Sequence, residues 1–280
     1  MIRLFSILLI TSITFALSAQ VEKLVVEGAI VIADNDNQNP VAGTIRWSGT
    51  DFEGFDGTNW ISLTCCDSKS PIDCDGNKYQ TIKIGDQTWF AENLRTTCYN
   101  DGSPIPFKGD HTSWLASEAN AQDAFTFYNF STTDDSGHGG FYNWYSVDNA
   151  YNSGRNVCPV GWHVPSSAEF EILKAELNGD EITDIAGGRA KSNSLAWNQP
   201  NEGTFDSGFL AEPCPRCTGS VSFSSSGTSA YFLTTSLDTS RNYIAPYNYW
   251  LLHSSERFRR VQPGSADGSG DGAPIRCLKD

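Results

Sequence analysis

The sequence predicts an α+β fold, in which one or two short helices pack on irregular antiparallel strands after a small β module. One stretch has a helix-capping signal followed by apolar residues at helical spacing. Most other apolar runs are short, rich in β-branched and aromatic residues, and bounded by Gly, Asn and Asp, which is typical of strands. Eight cysteines in 280 residues add the expectation of disulfide cross-links.

Residues 1–19 have the pattern of a secretory signal, with Arg3 before an apolar run and Ala19 at the expected cleavage point. No later run approaches the ~18 apolar residues of a spanning helix, so we expect no membrane insertion once this segment is removed. The formal charge of −14 argues against nucleic acid as a partner. The sequence therefore predicts a secreted or cell-surface protein.

Residues 20–64 are predicted to form a β-rich spacer module, followed by a cysteine-bearing linker at 65–72. Strands are expected at residues 43–47, 51–55 and 59–63. The segment 43–64 resembles the β-rich spacers of phage tail fibres and bacterial surface fibres. The module is too small to bury much of a core alone, so we expect it to pack on the following domain or to self-associate, which the resemblance implies as a homotrimer. A plain β appendage on a monomer is the alternative.

The clearest helix signal lies within residues 157–177. Ser166 and Glu169 form a capping box, in which each side chain reaches the backbone amide of the other residue. Phe170, Leu173 and Leu177 then recur on one helical face. A helix this short is marginal alone, so we expect its apolar face to pack on the β-rich remainder. Its principal strands are predicted at residues 79–84, 88–90, 230–236, 249–252 and 273–277.

The first four cysteines are Cys65, Cys66, Cys74 and Cys98. An even number of cysteines in an exported protein favours disulfides over free thiols or zinc. If these four pair among themselves, the strain of bridging adjacent residues leaves two patterns. Either Cys65 pairs with Cys74 and Cys66 with Cys98, or Cys65 pairs with Cys98 and Cys66 with Cys74.

The other four cysteines are expected to form two further bridges. Cys214 and Cys217 are spaced to close a tight loop, and by elimination Cys158 pairs with Cys277. The long loop closed by the second bridge would stabilise the fold by roughly 4–5 kcal/mol in the chain-entropy model. Redox activity at Cys214 and Cys217 would need a thiolate at a helix start, whereas this pair lies in a Pro/Gly/Ser-rich stretch.

No local catalytic signature occurs in the sequence. G-x-S-x-G, H-E-x-x-H and P-loop patterns are all absent. His163 lies between Trp162 and a Val-Pro corner, where an imidazole is expected to bond to the backbone and shape the turn. We therefore predict no catalytic residue, no metal and no cofactor.

Two stretches are candidates for ligand binding. Gln199-Pro200-Asn201 is similar to the proline-centred carboxamide motif with which calcium-dependent lectins hold sugar hydroxyls, although the companion Trp-Asn-Asp motif is absent and the nearby tryptophan also suits a core. Residues 267–272 place oxygens at alternate positions as calcium loops do, but Leu278 replaces the bidentate carboxylate. The candidate ligand-binding residues are Trp197, Asn198, Gln199, Asn201, Asp267 and Asp271.

Six motifs occur in order between residues 73 and 280: DGNKYQTIKIGDQTWFAENL, YNDGSPIP, GGFYNWYSV, CPVGWHVPSSAEFEIL, WNQPNEGTFDSGF and IRCLKD. They resemble the Fibrobacter succinogenes major paralogous domain, a family of exported bacterial proteins without an established activity. The resemblance implies a C-type lectin-like fold with long loops projecting from one side. The chain departs from the family pattern at Cys74 and Cys98 and in the insertion that carries Cys214 and Cys217.

These observations predict an exported, non-catalytic binding or adhesion protein that recognises a glycan or a surface protein. An alternative is an oxidoreductase similar to formylglycine-generating proteins, whose chemistry requires a reactive, copper-binding cysteine pair. Only Cys214 and Cys217, or a pair near Cys65, would supply that pair. A second alternative is a structural subunit of a surface fibre.

Overall fold

The computed structural model describes residues 44–47, 52–55, 60–62, 70–134, 136–178, 184–217, 223, 227–240, 246–261 and 271–280. The chain divides into two compact units, Met1–Thr64 and Cys65–Asp280. The predicted signal segment, Cys65, Cys66 and Asp267 lie outside the described residues. Within the described part, no helix has the length and apolar character needed to cross a bilayer.

The first unit contains the three short strands expected from its sequence. They are β1 (Ile45–Trp47), β2 (Phe52–Phe55) and β3 (Trp60–Ser62), which form an antiparallel sheet in that order. The guanidinium of Arg46 lies 4.0 Å from the centre of the Trp60 ring. A guanidinium in this position covers one face of the aromatic ring.

The second unit is built on a four-stranded sheet in the order β4-β5-β12-β8. Its strands are β4 (Thr81–Ile84), β5 (Gln87–Phe90), β8 (Trp162–His163) and β12 (Leu278–Lys279). β4 and β5 form the predicted hairpin, whose turn places Gly85 at φ +56°. The chain's last strand therefore lies between β5 and β8, which begins the segment that leads to the central helix.

Three further strands form the sheet β11-β10-β9. They are β9 (Ser229–Leu237), β10 (Pro246–Leu252) and β11 (Phe258–Val261), and the first two confirm the strands predicted at 230–236 and 249–252. A two-stranded sheet pairs β6 (Phe125–Thr126) with β7 (Phe141–Tyr142). The predicted strand at 273–277 is wrong, because single residues of that segment bond to different parts of the chain, among them β5, β7 and β9, and only Leu278–Lys279 enters a sheet as a strand.

The helices are α1 (His111–Ala119), α2 (Ser167–Glu176) and α3 (Ala186–Ala190). The predicted capping box of α2 is present: the amide of Ser166 donates to the Glu169 carboxylate at 2.7 Å, and the Ser166 hydroxyl accepts from the Glu169 amide. Phe170 and Leu173 are fully buried, and the Phe170 ring stacks on Tyr249 of β10 at 4.4 Å. The helix thus packs on the sheet as expected.

Two main groups of buried side chains fill the second unit, and β5 contributes to both. Successive residues of a strand point to opposite faces. Trp89 therefore packs with Phe170 of α2, whereas Phe90 packs against Trp162 in the other group. Small antiparallel sheets with short helices on this aromatic core make the unit α+β, as predicted.

Cys158 and Cys277 form the predicted disulfide, and both residues are fully buried. The predicted pairing of the first four cysteines is wrong, because Cys74 is bonded to Cys98. The Asp73 carboxylate accepts from the amides of Asp75 and Asn77, which folds this segment into a turn. That turn brings Cys74 beside Cys98, so neither pattern that uses Cys65 and Cys66 as partners is formed.

Candidate functional site

The first predicted ligand-binding stretch forms a surface loop, residues 197–202, between α3 and β9. Asn198 and Gln199 are exposed and Asn201 is half-buried. Trp197 is only 2% exposed, and its indole N–H donates to the Ala211 carbonyl at 3.1 Å. The ring of Trp197 therefore belongs to the core, and its contact with a ligand stays a prediction.

Lys191 anchors the segment that leads into the 197–202 loop. The residue is fully buried, and its Nζ donates to the carbonyl oxygens of Leu252, His253 and Ser255 at 3.1–3.3 Å. Burial lowers the pKa of Lys191 to about 8. The ammonium group also lies 5.6 Å from the centre of the Trp197 ring. One side chain thus joins the loop's base to the end of β10.

The loop itself is tied to the scaffold by backbone hydrogen bonds. The amide of Asn198 donates to the Gly227 carbonyl at 2.7 Å, and the amide of Glu202 donates to the His253 carbonyl at 3.0 Å. The ring Nδ1 of His253 lies 3.1 Å from the carbonyl oxygen of Pro200. These bonds fix both ends and the middle of the loop, so its exposed side chains are presented from a fixed backbone.

The backbone just after the loop, at Gly203, lies in close contact with the backbone of α3 at Gly188. Gly203 follows the loop at φ +151°, and a Cβ atom there would lie 2.3 Å from the Gly188 carbonyl oxygen. A side chain at this position would push the loop away from α3. Glycine is therefore required here by contact with the neighbouring backbone.

Asn201 attaches the loop to the segment that precedes it. Its Nδ2 donates to the Ser192 carbonyl at 3.1 Å, whereas its buried Oδ1 has no hydrogen-bond partner in the described part of the chain. The exposed amides of Asn198 and Gln199 offer further donors and acceptors, which suits ligands rich in hydroxyl groups. Leu195, which is 97% exposed, adds an apolar contact beside them.

The second predicted stretch does not supply a comparable set of ligands. Asp271 is 4% exposed, and its carboxylate accepts a hydrogen bond from the Arg216 guanidinium at 2.9 Å. This internal ion pair engages the Asp271 carboxylate, and its binding of a ligand stays a prediction. Asp267 lies outside the described residues, so its predicted role stays a prediction.

The predicted disulfide between Cys214 and Cys217 is also wrong, since both are free, buried thiols. Cys214 pairs through its backbone with β9, whereas Cys217 exchanges two backbone hydrogen bonds with Gly272. These contacts direct the two side chains into different surroundings, Cys217 packing with Trp114. Burial raises the pKa of both thiols, so neither is the thiolate that redox or copper chemistry requires.

His163 is bonded to carboxylates where we expected backbone partners. Its Nε2 lies 2.9 Å from a Glu169 oxygen and its Nδ1 lies 2.7 Å from an Asp280 oxygen. The hydrogen bond with Glu169 raises the pKa of His163, and in return lowers the pKa of Glu169 to about 2. Both ring nitrogens are occupied within the fold, so the imidazole shapes the turn and is not a free base.

Sequence reasoning missed Lys191 and His253, which support the loop. No local pattern marks either residue, because the carbonyls that bind Lys191 come from a segment more than 60 residues later in the chain. The burial of a lysine is unusual. The only indication that Lys191 is buried was its position in the sequence, between the small residues of α3 and the core residue Trp197.

Comparisons with known proteins define the family of the second unit. A family model described as the Fibrobacter succinogenes major domain matches residues 82–279. No curated protein and no solved structure matches the chain significantly.

Proposed function

The chain belongs to the Fibrobacter succinogenes major domain family, and from that premise we propose that it is an exported, non-catalytic binding protein. We propose that its second unit has the C-type lectin-like arrangement that the family resemblance implies, with the 197–202 loop as the binding surface. The signal-like residues 1–19 and the buried disulfide between Cys158 and Cys277 both suit an oxidising compartment outside the cytoplasm.

One observation carries the proposal: a loop with exposed carboxamides is fixed to the scaffold at its start, middle and end. Backbone atoms of Asn198, Pro200 and Glu202 all bond to neighbouring residues of the scaffold, Gly227 or His253. A loop that is ordered before binding loses little conformational entropy when a ligand arrives. Exposed carboxamides carry donors and acceptors that suit sugar hydroxyls, so we propose a glycan as the ligand.

A glycan array and a cell-wall pulldown with the full chain test this function. We expect a saccharide or wall fraction to be retained, and the double variant Asn198→Ala/Gln199→Ala to reduce retention at least tenfold. Such a loss is the size expected when one or two hydrogen bonds, each of about 0.5–1.5 kcal/mol, are removed.

The matched control is the double variant Gln122→Ala/Asn149→Ala, which removes two exposed carboxamides outside the loop. It should bind as the unaltered protein does. No binding in either assay would argue against a glycan-binding function. Binding that survives the loop variant but not the control would place the site elsewhere.

We also propose that the first unit acts as a spacer through which chains associate as homotrimers. Its small three-stranded sheet is the supporting observation. Light scattering on the full chain and on a chain lacking residues 20–64 tests this idea. A trimeric mass that becomes monomeric on deletion supports it, and a monomeric full chain contradicts it.

A further inference from the structure

We propose that the Cys74–Cys98 disulfide is reducible in the folded protein, and that its opening creates a binding site for a thiophilic divalent cation such as Zn²⁺. The ligands are the two thiolates and the Asp75 carboxylate. The two Sγ atoms and a carboxylate oxygen all lie within 4.8 Å of one another. Ligand atoms around a tetrahedral zinc, with bonds of about 2.0–2.3 Å, lie about 3.5–3.8 Å apart. Small side-chain rotations therefore suffice to enclose an ion.

The two disulfides differ in their access to a reductant. Cys74 is exposed and Cys98 is half-buried, whereas Cys158 and Cys277 are both fully buried. Reduction requires an attacking thiolate to reach a sulfur atom of the bridge. A dithiol reductant in solution therefore opens the bridge at Cys74 while the buried bridge persists.

The site does not depend on the disulfide for its shape. The Asp73 carboxylate accepts from the amide of Asp75 at 3.0 Å and so keeps the turn around Cys74 folded. The amide of Thr97 donates to the Asp75 carboxylate at 2.6 Å, which joins the two cysteine-bearing segments by a second link. After the S–S bond opens, these contacts hold the three ligands within reach of one ion.

Neighbouring hydroxyl groups orient the ligands. The Thr97 hydroxyl donates to the Asp75 carboxylate at 2.9 Å, and the Thr96 hydroxyl lies 3.1 Å from the Cys74 sulfur. Hydrogen bonds of this kind fix the orientation of metal ligands and tune affinity. Because Cys74 and Asp75 are exposed, a fourth coordination position is open to water.

The chemistry balances in two steps. A dithiol reductant supplies two electrons and two protons: its own S–S bond forms, the Cys74–Cys98 bond breaks, and two thiols result. The cation then displaces both thiol protons and is held by two thiolates and one carboxylate. Thiolate ligands select zinc-like cations over Mg²⁺ and Ca²⁺, which prefer oxygen.

The first test measures which bridge opens, in the full chain carrying Cys65→Ser and Cys66→Ser. The protein is treated with increasing dithiol reductant, alkylated and mapped by peptide mass spectrometry. We expect labels on Cys74 and Cys98 at reductant concentrations that leave Cys158 linked to Cys277. Labelling of the buried pair at the same or lower concentrations would overturn the proposal.

The second test is a cobalt(II) titration of the same chain before and after reduction. We expect one equivalent to bind with a thiolate-to-cobalt absorption band only after reduction, and neither Cys74→Ser nor Cys98→Ser to show the band. Cys214 and Cys217 are present in every sample, so any signal from them forms a constant background. A reduced protein without the band, or a Cys98→Ser variant that keeps it, would overturn the proposal.

The role of Asp75 is tested separately. Asp75→Asn is expected to weaken cobalt binding by at least about tenfold. Even residues that only hydrogen-bond to a metal ligand change metal affinity by about 10–100-fold when they are replaced. Asp101→Asn is the matched control, since it removes an exposed carboxylate from the adjoining turn and should leave affinity unchanged. Equal affinities of the two variants would exclude Asp75 as a ligand and contradict the site.

Discussion

The guanidinium group of Arg276 is buried. Among the described residues, its hydrogen-bond acceptors are amide and carbonyl oxygens, not carboxylates. Its Nε donates to the Asn93 side chain at 2.7 Å, and its Nη atoms donate to the carbonyls of Phe209 and Leu210 at 2.6 and 3.1 Å. Burial lowers the pKa of Arg276 to about 9, which still leaves it charged at neutral pH. A buried charge persists only when it is hydrogen-bonded in this way.

Replacing Arg276 by methionine is therefore expected to destabilise the fold. The loss of the guanidinium leaves several buried carbonyls without a donor, so the free energy of unfolding should fall by about 3–5 kcal/mol. Urea unfolding measures this change. Arg259→Met, at an exposed position of β11, should stay within about 0.5 kcal/mol of the unaltered protein. Equal stability of the two variants would show that the interior bonds of Arg276 contribute nothing.

For single residues, the sequence indicated which side chains are chemically suited to bind a ligand, but it did not indicate which of them are exposed. Gln199 and Asn201 were recognisable as carboxamides around a proline, and they do lie together on a surface loop. Trp197 and Asp271 have equally suitable side chains, but both are internal. What removes them from the surface is a partner distant in sequence, such as Arg216 for Asp271, and single-sequence spacing does not contain that information.

Helix α2 is joined to the end of the chain by His163, Glu169 and Asp280. The imidazole lies between the two carboxylates, and Glu169 also accepts the amide of Ser166 at the helix start. The residue before Asp280 is Lys279 of β12, whose charged side chain is exposed. The contact therefore couples one helix cap to two strands of the central sheet.

This contact predicts a pH dependence of stability. The raised pKa of His163 means that its contribution is complete below the ordinary value of 6.5 and is lost as pH rises through the folded value. Glu169, whose pKa is lowered, contributes fully above 4.5 and loses its contribution as pH falls toward about 2. The contribution is therefore largest between pH 4.5 and 6.5.

The variant His163→Gln tests it. The difference in urea midpoint between the unaltered protein and this variant should be largest near pH 5–6 and shrink as the imidazole deprotonates. Lys279→Gln, which changes a neighbouring exposed charge, should give no comparable trend. A His163→Gln difference that is constant from pH 5 to pH 9 would contradict the carboxylate contacts.

Elements with strong local signals were predicted well. The capping box of α2 and the hairpin of β4 and β5 are specified by neighbouring residues, so the sequence contains what is needed to find them. Helix α1 was missed, although Asp110 caps it, because its single buried aromatic side chain, Trp114, gives little helical periodicity. The closing strand was misplaced because residues 273–277 bond one at a time to different segments, among them β5, β7 and β9, which lie far away in the chain.

Across the whole second unit, the bridge between Cys158 and Cys277 joins the segment before α2 to the segment before β12. The two residues are 119 positions apart. In the chain-entropy model a loop of that length corresponds to about 5 kcal/mol of stabilisation. That is a large share of a typical net stability of about 5–15 kcal/mol, so Cys158→Ala/Cys277→Ala should be severely destabilised in urea unfolding.

The sequence predicted this bridge by elimination, and the result was right although part of the elimination was not. Cys74 pairs with Cys98, and Cys214 and Cys217 do not pair at all. Connectivity depends on which backbone segments meet, as the turn around Asp73 shows for Cys74. The number of cysteines indicates that disulfides form, but it does not indicate which cysteines are paired.

Peptide mapping of the non-reduced protein tests the central claim of a clamped scaffold most directly. After denaturation and alkylation, we predict one linked peptide pair containing Cys158 and Cys277, a second containing Cys74 and Cys98, and alkylated Cys214 and Cys217. Recovery of Cys158 as a free thiol, or linked to any cysteine other than Cys277, would contradict the account.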